Sequence, residues 1–271
     1  MSQLDHIDAC IRFLAPSDTP PVYQASEGGA DAELVLQGDY ADHDIRIASG
    51  RLVADSLSLD REGFAFQQHA SRVADFYDDA AIAGIYTGEV EELVKQATGA
   101  ARTVCFDHTR RAETRDKRGE HTSREPSSIV HNDYTDKSGP QRIRDLMGDE
   151  AEDLLGRRFA IVNVWRPISH PAETSILALC DASSVRDDDL IPAPRIAKDR
   201  IGELMLAHYH PDQRWVAFPG MGAGEALLLK TYDSATDGRA RFAIHTAFDN
   251  PNPPETAKPR ESIESRIFAF F

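Results

Sequence analysis

Two residues that commonly bind metals, His131 and Asp133, lie two positions apart in the segment SIVHNDYT. In an extended strand, this spacing directs both side chains to the same face. A third ligand is available much later in the chain, because His245 lies in another β-type segment, RFAIHTAF. We therefore predict a metal site formed by His131, Asp133 and His245.

Two imidazoles and one carboxylate are the facial triad of non-haem iron(II) oxygenases, and they leave open coordination positions on the ion. A 2-oxo acid and O2 can occupy those positions. Oxidative decarboxylation of 2-oxoglutarate to succinate and CO2 then provides an oxidant for an unactivated C–H bond. We therefore predict that the three residues are catalytic and that the cofactors are Fe(II), 2-oxoglutarate and O2.

The distal carboxylate of 2-oxoglutarate needs a cationic partner, and an arginine with a nearby hydroxyl group provides one. Arg260 and Ser262 form such a pair in PRESIESRIF. Glu264 and Arg266 continue the same face of this segment, so Arg266 either competes for the role or pairs with Glu264. We predict that Arg260 and Ser262 bind the carboxylate, with Arg266 as the alternative.

Two polar residues within apolar segments are further candidates for cofactor binding. Asn163 shares a strand face with Trp165 in RRFAIVNVWRP, and we predict a polar contact from it to 2-oxoglutarate or substrate. Lys230 shares a face with Leu228 and Tyr232 in EALLLKTYD. A lysine in such a strand either extends outward to water or binds an anion inside.

A competing metal motif is present in AHYHPDQRW, where His208 and His210 could lie on one face of a strand. Pro211 and its polar neighbours favour a loop instead, and no obvious downstream ligand set accompanies the pair. We predict that both are surface residues.

The elements that would position these residues are mainly β. From residue 101 onward, turns separate seven short β-rich segments: SSIVHNDYT, RRFAIVNVWRP, SILALCD, RWVAFPG, EALLLKTYD, RFAIHTAF and SIESRIFAFF. This pattern predicts a barrel or sandwich, and the absence of alternating βαβ units argues against a Rossmann fold.

The first hundred residues carry fewer signals. Residues 1–60 mix short apolar runs with proline and glycine, and residues 66–99 have the apolar spacing of two helices. The highly charged residues 110–128 are predicted to form a solvated loop or a lid, or to bind an anion on a substrate. We predict one catalytic domain, 1–271, with an N-terminal extension and supporting helices in 1–100 and the core in 101–271.

Composition excludes several kinds of partner. The chain of 271 residues has 45 acidic and 30 basic side chains, a net charge of −15 that disfavours binding to nucleic acids or anionic membranes. Cys10, Cys105 and Cys180 are widely spaced, and neither a signal peptide nor a membrane span is apparent. We predict a cytoplasmic protein with a small-molecule substrate, and a homodimer is possible.

Together, the segments HNDYT, NVWRP, LALCDA, RWVAFPGM, LLLKTYDS, HTAF and PRESIESR resemble, in order, the hydroxylase/desaturase family. This family includes AsaB-like, gibberellin desaturase-like and cephalosporin 7α-methoxylase P8-chain-like proteins within the iron(II)/2-oxoglutarate oxygenase superfamily. The resemblance covers residues 100–271. It implies a double-stranded β-helix, or jelly roll, flanked by helices from the N-terminal half, and an oxidoreductase that hydroxylates or desaturates a small specialised metabolite.

Two other functions use the same residues differently. An accessory subunit could keep the fold without catalysis, and a hydrolase or isomerase could use the triad to bind a Lewis-acidic metal. The intact triad argues against the first, and the Arg260 and Ser262 pair argues against both.

Overall fold

The computed structural model describes residues 5–271, and β-strands dominate this part of the chain. The strands, numbered in chain order, are β1 His6–Leu14, β2 Val22–Gln24, β3 Val35–Gln37, β4 Tyr40–Ser49, β5 Phe64–Gln68, β6 Arg102–Ala112, β7 His131–Asn132, β8 Phe159–Pro167, β9 Ser175–Cys180, β10 Leu190–Ala197, β11 Arg200–Ala207, β12 Trp215–Ala217, β13 Glu225–Asp233, β14 His245–Asp249 and β15 Glu261–Phe270.

The larger of two sheets has the strand order β1-β4-β12-β9-β14-β7-β11-β10-β2-β3 within the described residues. The short strand β7 lies between β14 and β11 and is antiparallel to both. The fold therefore places the two strands that carry the predicted histidine ligands side by side, although many residues separate them along the chain.

The smaller sheet has the order β5-β13-β8-β15-β6, and each pair of neighbours is antiparallel. Its inner face packs against the larger sheet, since Trp165 and Leu229 share a buried cluster with Leu179 and Phe218. Two facing sheets of this kind confirm the predicted mainly β jelly roll.

The helices of the described residues are short and lie outside the sheets. They are α1 Asp79–Ala81, α2 Thr87–Thr98, α3 Arg115–His121, α4 Ser138–Leu146 and α5 Ala151–Leu155. On α2, Val90, Leu93 and Val94 are buried against the outer face of the smaller sheet, and Gly99 ends the helix with a φ of 71°. None of the helices in residues 5–271 is long and apolar enough to cross a membrane.

The prediction of two helices in residues 66–99 was wrong in its first half. One helical run begins after Asp78, whose side chain accepts hydrogen bonds from two backbone amides, and a π-helical turn at Ile82–Tyr86 joins α1 to α2. Before this cap, Val73 and Phe76 are buried in the same cluster as α2 without being helical. Their spacing in the sequence resembles that of a helix, but both side chains pack into this cluster from a loop.

The first hundred residues contribute strands to both sheets. β1 and β4 pair along nine residues at one edge of the larger sheet, and β5 pairs with β13 in the smaller one. The division into an extension and a core stays a prediction, but these strands are integrated into the two layers.

The charged segment 110–128 is not a continuous loop. Its beginning completes β6, its middle forms α3, and a parallel bridge pairs Arg111 with Arg124. This pairing holds both arginines at the open edge of the smaller sheet.

Candidate metal centre and active site

Strand pairing builds the predicted metal site. His131 and His245 lie directly opposite each other on β7 and β14, with ring centroids 4.5 Å apart. Asp133 follows β7, and one ligand atom from each of the three residues lies within 4.8 Å of the others. The structure therefore brings together His131, Asp133 and His245 as the sequence predicted.

Both imidazoles are oriented by their own backbone. Nδ1 of His131 lies 2.8 Å from the carbonyl oxygen of Ile129, and Nδ1 of His245 lies 2.9 Å from that of Ala243. Because a carbonyl oxygen only accepts, each Nδ1 carries the proton and each Nε2 keeps its lone pair for a metal. Burial, together with the neighbouring His245, lowers the pKa of His131 to about 3.

One carboxylate oxygen of Asp133 is held by the smaller sheet. Its Oδ2 accepts hydrogen bonds from Asn163 Nδ2 at 2.8 Å and from Arg266 Nε at 2.9 Å, while Oδ1 lies 3.7 Å from Nε2 of His131. Burial opposes ionisation of Asp133, but the charge of Arg266, the two imidazoles and the hydrogen bond from Asn163 together outweigh it and hold the pKa well below its usual range. Asp133 is therefore an anionic ligand with one oxygen free.

Arg266 is fully occupied by protein groups. Besides Asp133, it donates to Asp107 at 2.6 Å, to Thr109 at 3.1 Å and to Glu264. The alternative in which Arg266 binds the distal carboxylate of 2-oxoglutarate is therefore disfavoured, and the internal pair with Glu264 is present.

Arg260 and Ser262 differ from Arg266, because each has a polar atom that no group among the described residues satisfies. Both are buried, yet Arg260 Nε and Ser262 Oγ have no hydrogen-bond partner among residues 5–271. One Arg260 nitrogen donates to the carbonyl of Ser175 at 3.3 Å, and the guanidinium lies over the ring of Trp165. Burial and the neighbouring Arg111 lower the pKa of Arg260 to about 9.

A narrow pocket connects this arginine to the metal site. Arg260, Trp165, His131 and His245 all line it. Buried polar atoms without partners are rare because each costs about 1–3 kcal/mol. A bound carboxylate would satisfy the unpaired Arg260 Nε, so the residues present fit both an iron(II) ion and a 2-oxo acid.

Asn163 has a different contact from the one predicted. Its side chain is fully buried and donates to Asp133, while its carbonyl oxygen accepts from Thr231 Oγ1 at 3.3 Å. Since both ends of the amide are bonded to protein, Asn163 positions a metal ligand and does not present a free group to 2-oxoglutarate or substrate. Trp165, two residues later, lines the narrow pocket.

The structure contradicts the prediction that Lys230 binds the cofactor. Its Nζ donates to Asp60 at 2.6 Å and to Asp233 at 3.0 Å on the outer face of the smaller sheet. Lys230 shares this outer face with Leu228, as alternation predicts, whereas a β-bulge between Lys230 and Tyr232 places Tyr232 on the opposite face.

The competing histidines do not form a second metal site. His208 Nδ1 lies 2.9 Å from the carbonyl oxygen of Leu14, and His210 lies beside Asp212. In residues 5–271, the ligand cluster at His131 is the only group of three or more potential ligands close enough to hold a metal.

Sequence reasoning did not identify three arginines near the site. Arg111 lines the narrow pocket, and Arg124 and Arg195 line an adjoining cavity that reaches Asp133. The high charge of residues 110–128 was the only sequence feature that indicated Arg111 and Arg124, and no local sequence pattern indicates Arg195. Only the pairing of β10 with β11, and of β11 with β7, brings it to the site.

Comparisons with known proteins agree with this geometry. A family model described as an oxidoreductase/YMDC permease-like domain matches residues 11–270. The chain is 33% identical to hydroxylase/desaturase CTB9 of Cercospora beticola over 88% of this chain and 79% of that protein. It is also 33% identical to the Fe(II)/2-oxoglutarate-dependent dioxygenase nvfI of Aspergillus novofumigatus, over 86% and 84% of the two chains.

A solved structure has the same fold. The iron and alpha-ketoglutarate-dependent endoperoxidase NvfI superposes with a TM-score of 0.85 and 27% identity, over 98% of each chain. Sequence, fold and ligand cluster lead to one conclusion. The chain belongs to the hydroxylase/desaturase family of iron(II)- and 2-oxoglutarate-dependent dioxygenases.

Proposed function

We propose that His131, Asp133 and His245 hold iron(II) and that this enzyme hydroxylates a small specialised metabolite. The observation that carries the proposal is the convergence of three ligand atoms within 4.8 Å. Iron(II), when bound, supplies the activation of O2 that is coupled to decarboxylation of 2-oxoglutarate to succinate and CO2. The substrate is a small molecule, and we propose a cytoplasmic enzyme.

Neighbouring protein groups orient the three candidate metal ligands. Burial keeps His131 neutral, and backbone carbonyls fix both imidazoles so that Nε2 faces the site. Asn163 and Arg266 hold one oxygen of Asp133 and leave the other for the ion. Such orientation by neighbouring groups reduces the reorganisation that metal binding requires.

We assign the distal carboxylate of 2-oxoglutarate to Arg260 and Ser262. Arg260 Nε and Ser262 Oγ are buried and unpaired, and Arg260 lies in the same narrow pocket as the two histidines. A carboxylate there would gain charge-assisted hydrogen bonds in a region sheltered from water. This unpaired arginine favours a 2-oxo acid oxygenase over an accessory subunit or a metal-dependent hydrolase.

We propose hydroxylation as the outcome because transfer of a hydroxyl group to the carbon is the default once hydrogen has been removed. Desaturation of the same substrate differs only in loss of a second hydrogen.

Anaerobic titration tests the proposed site. Iron(II) and 2-oxoglutarate added to the wild-type protein should give a weak visible charge-transfer band, and admission of O2 should release succinate. The variant His131→Ala should give neither signal. Absence of the band in the wild type, or its persistence in His131→Ala, would contradict the proposal.

A further inference from the structure

A second cavity, of about 560 Å³, lies beside the metal centre. Asp133 and Arg266 line the side nearest the metal, and Arg124 and Arg195 also border it. Arg260 is not among its lining residues, so this space differs from the narrow pocket assigned to 2-oxoglutarate. It is of the size that holds small-molecule ligands in proteins.

Arg124 and Arg195 are partly buried cations for which residues 5–271 provide no anionic partner. Neither guanidinium forms a hydrogen bond or an ion pair within the described part of the chain. Burial lowers the pKa of both side chains, and the nearby charge of Arg195 lowers that of Arg124 further. Placing two like charges together in partial burial is unfavourable unless an anion joins them.

Two other basic residues around the same cavity, Arg200 and Lys198, have carboxylate partners. Arg200 lies 3.3 Å from a carboxylate oxygen of Asp145, and Lys198 lies 3.1 Å from one of Glu27. The chain has 45 acidic residues against 30 basic ones, so potential partners are abundant. Within residues 5–271, Arg124 and Arg195 nevertheless have none, and Arg142, the third cation of this cavity without a carboxylate partner, lies over the ring of Phe106.

Aromatic residues complete the lining. Phe106 and Tyr134 border the cavity, and the guanidinium of Arg142 lies 5.4 Å from the centre of the Phe106 ring. An apolar wall beside two free cations suits a molecule with an organic body and an anionic group.

We propose that this cavity binds the organic substrate and that Arg124 and Arg195 hold an anionic oxygen group on it, such as a carboxylate. The planar donors of arginine match the oxygens of such a group. The inference rests on the proposed function in one respect, since it requires 2-oxoglutarate to occupy the pocket at Arg260. It adds a substrate class, organic acids, that family membership does not specify.

Calorimetric titration with matched probes tests the substrate class. The protein carries Mn(II) in place of iron and saturating 2-oxoglutarate under anaerobic conditions, so no turnover occurs. The probes are acetate and acetamide, benzoate and benzamide, and phenylphosphonate. Wild-type protein should bind at least one anion more tightly than the neutral amide, and the carboxylate and phosphonate arms identify the preferred oxyanion.

The double variant Arg124→Gln and Arg195→Gln should lose this preference, with anion affinity reduced roughly tenfold or more and amide affinity unchanged. Arg200→Gln is the matched control, because Arg200 borders the same cavity but is paired with Asp145. It should keep the preference. If the double variant does not fold, each single variant is titrated and should lose part of the preference.

Three results would overturn the inference. The wild type could show no preference for any anion, the double variant could retain the preference, or the double variant could lose affinity for 2-oxoglutarate itself. The last result would assign the two arginines to the co-substrate. Failure of the proposed function looks different, because the wild-type protein with Mn(II) would then not bind 2-oxoglutarate at all.

Discussion

Asn163 and Arg266 face each other across β8 and β15, and both donate to the same oxygen, Oδ2, of Asp133. Two residues of the smaller sheet thereby hold the carboxylate of Asp133, which follows strand β7 of the larger sheet. Because Oδ2 is already bonded twice, Asp133 offers a metal only Oδ1. A monodentate carboxylate with two imidazoles leaves positions on an octahedral ion for a 2-oxo acid and O2.

Replacing Asn163 should weaken metal binding without removing a ligand. In Asn163→Ala, Oδ2 of Asp133 loses one of its two donors, and we expect Mn(II) affinity to fall by about 10-fold to 100-fold. Titration followed by electron paramagnetic resonance measures this affinity. Thr231→Val removes the hydroxyl that lies 3.3 Å from the side-chain oxygen of Asn163 and 3.3 Å from the carbonyl oxygen of Ile161, but it leaves both donors to Asp133 in place and should have a smaller effect. Unchanged affinity in Asn163→Ala would remove the positioning role.

The two candidate arginines should give different defects when replaced. Arg260→Gln removes a cation that has no carboxylate partner among residues 5–271, so we expect the KM for 2-oxoglutarate to rise at least about tenfold, with the fold retained. Arg266→Gln leaves Asp133, Glu264 and Asp107 without their common partner, so unfolding should become easier by about 3–5 kcal/mol. Steady-state kinetics and urea denaturation separate the two effects, and a reversed pattern would exchange the roles.

Lys230→Met tests the corrected position of Lys230. The variant loses the ion pairs to Asp60 and Asp233, and we expect the free energy of unfolding to fall by about 2 kcal/mol. Affinity for 2-oxoglutarate should stay at the wild-type value. Asp60→Asn is the milder control, because Asp233 keeps both Lys230 and Arg158. Loss of 2-oxoglutarate binding with full stability would restore the prediction made from the sequence.

Acid should destabilise the metal-free protein through His131. Its folded pKa of about 3 lies below the ordinary value of 6.5, so the unfolded chain binds an extra proton between these pH values. This contribution to stability is complete above pH 6.5 and is lost as pH falls, by up to about 1.4 kcal/mol for each unit. Urea denaturation of metal-free wild type and His131→Gln at pH 5 and 7 should give the shallower dependence in the variant. Equal slopes would contradict the lowered pKa.

The three cysteines should differ in reactivity. Cys10 is exposed, whereas burial raises the pKa of Cys105 and of Cys180 to about 12. Because the thiolate is the reactive form, iodoacetamide at pH 8 should modify Cys10 and spare the other two. Peptide mass spectrometry identifies the sites, and denatured protein, modified at all three, provides the control.

The candidate metal ligands could be predicted from the sequence because the geometry of a short extended segment determines where their side chains point. The two-residue spacing of His131 and Asp133 fixes their common direction in an extended chain, and Arg260 stands in a short motif with Ser262. Alternation along β8 also holds in the structure, where Asn163 contacts Asp133 between the sheets and Arg166 contacts His69 on the outer side.

The failures arise where distant segments decide the outcome. Alternation placed Lys230 and Tyr232 together, but a bulge set by pairing with β8 separates them. Asn163 was expected to contact a cofactor, because its partner Asp133 becomes visible only when the two sheets face each other. Arg195 reaches the site through two successive strand pairings, which no local pattern encodes.

The bond between Arg266 and Asp133 joins residues 133 positions apart in the chain. During synthesis, His131 and Asp133 leave the ribosome long before Arg266, which orients the aspartate. A partly made chain therefore holds an incomplete binding site with low affinity for iron. Both donors to Oδ2 of Asp133 are in place only once β15, the last strand of the chain, has paired with β8.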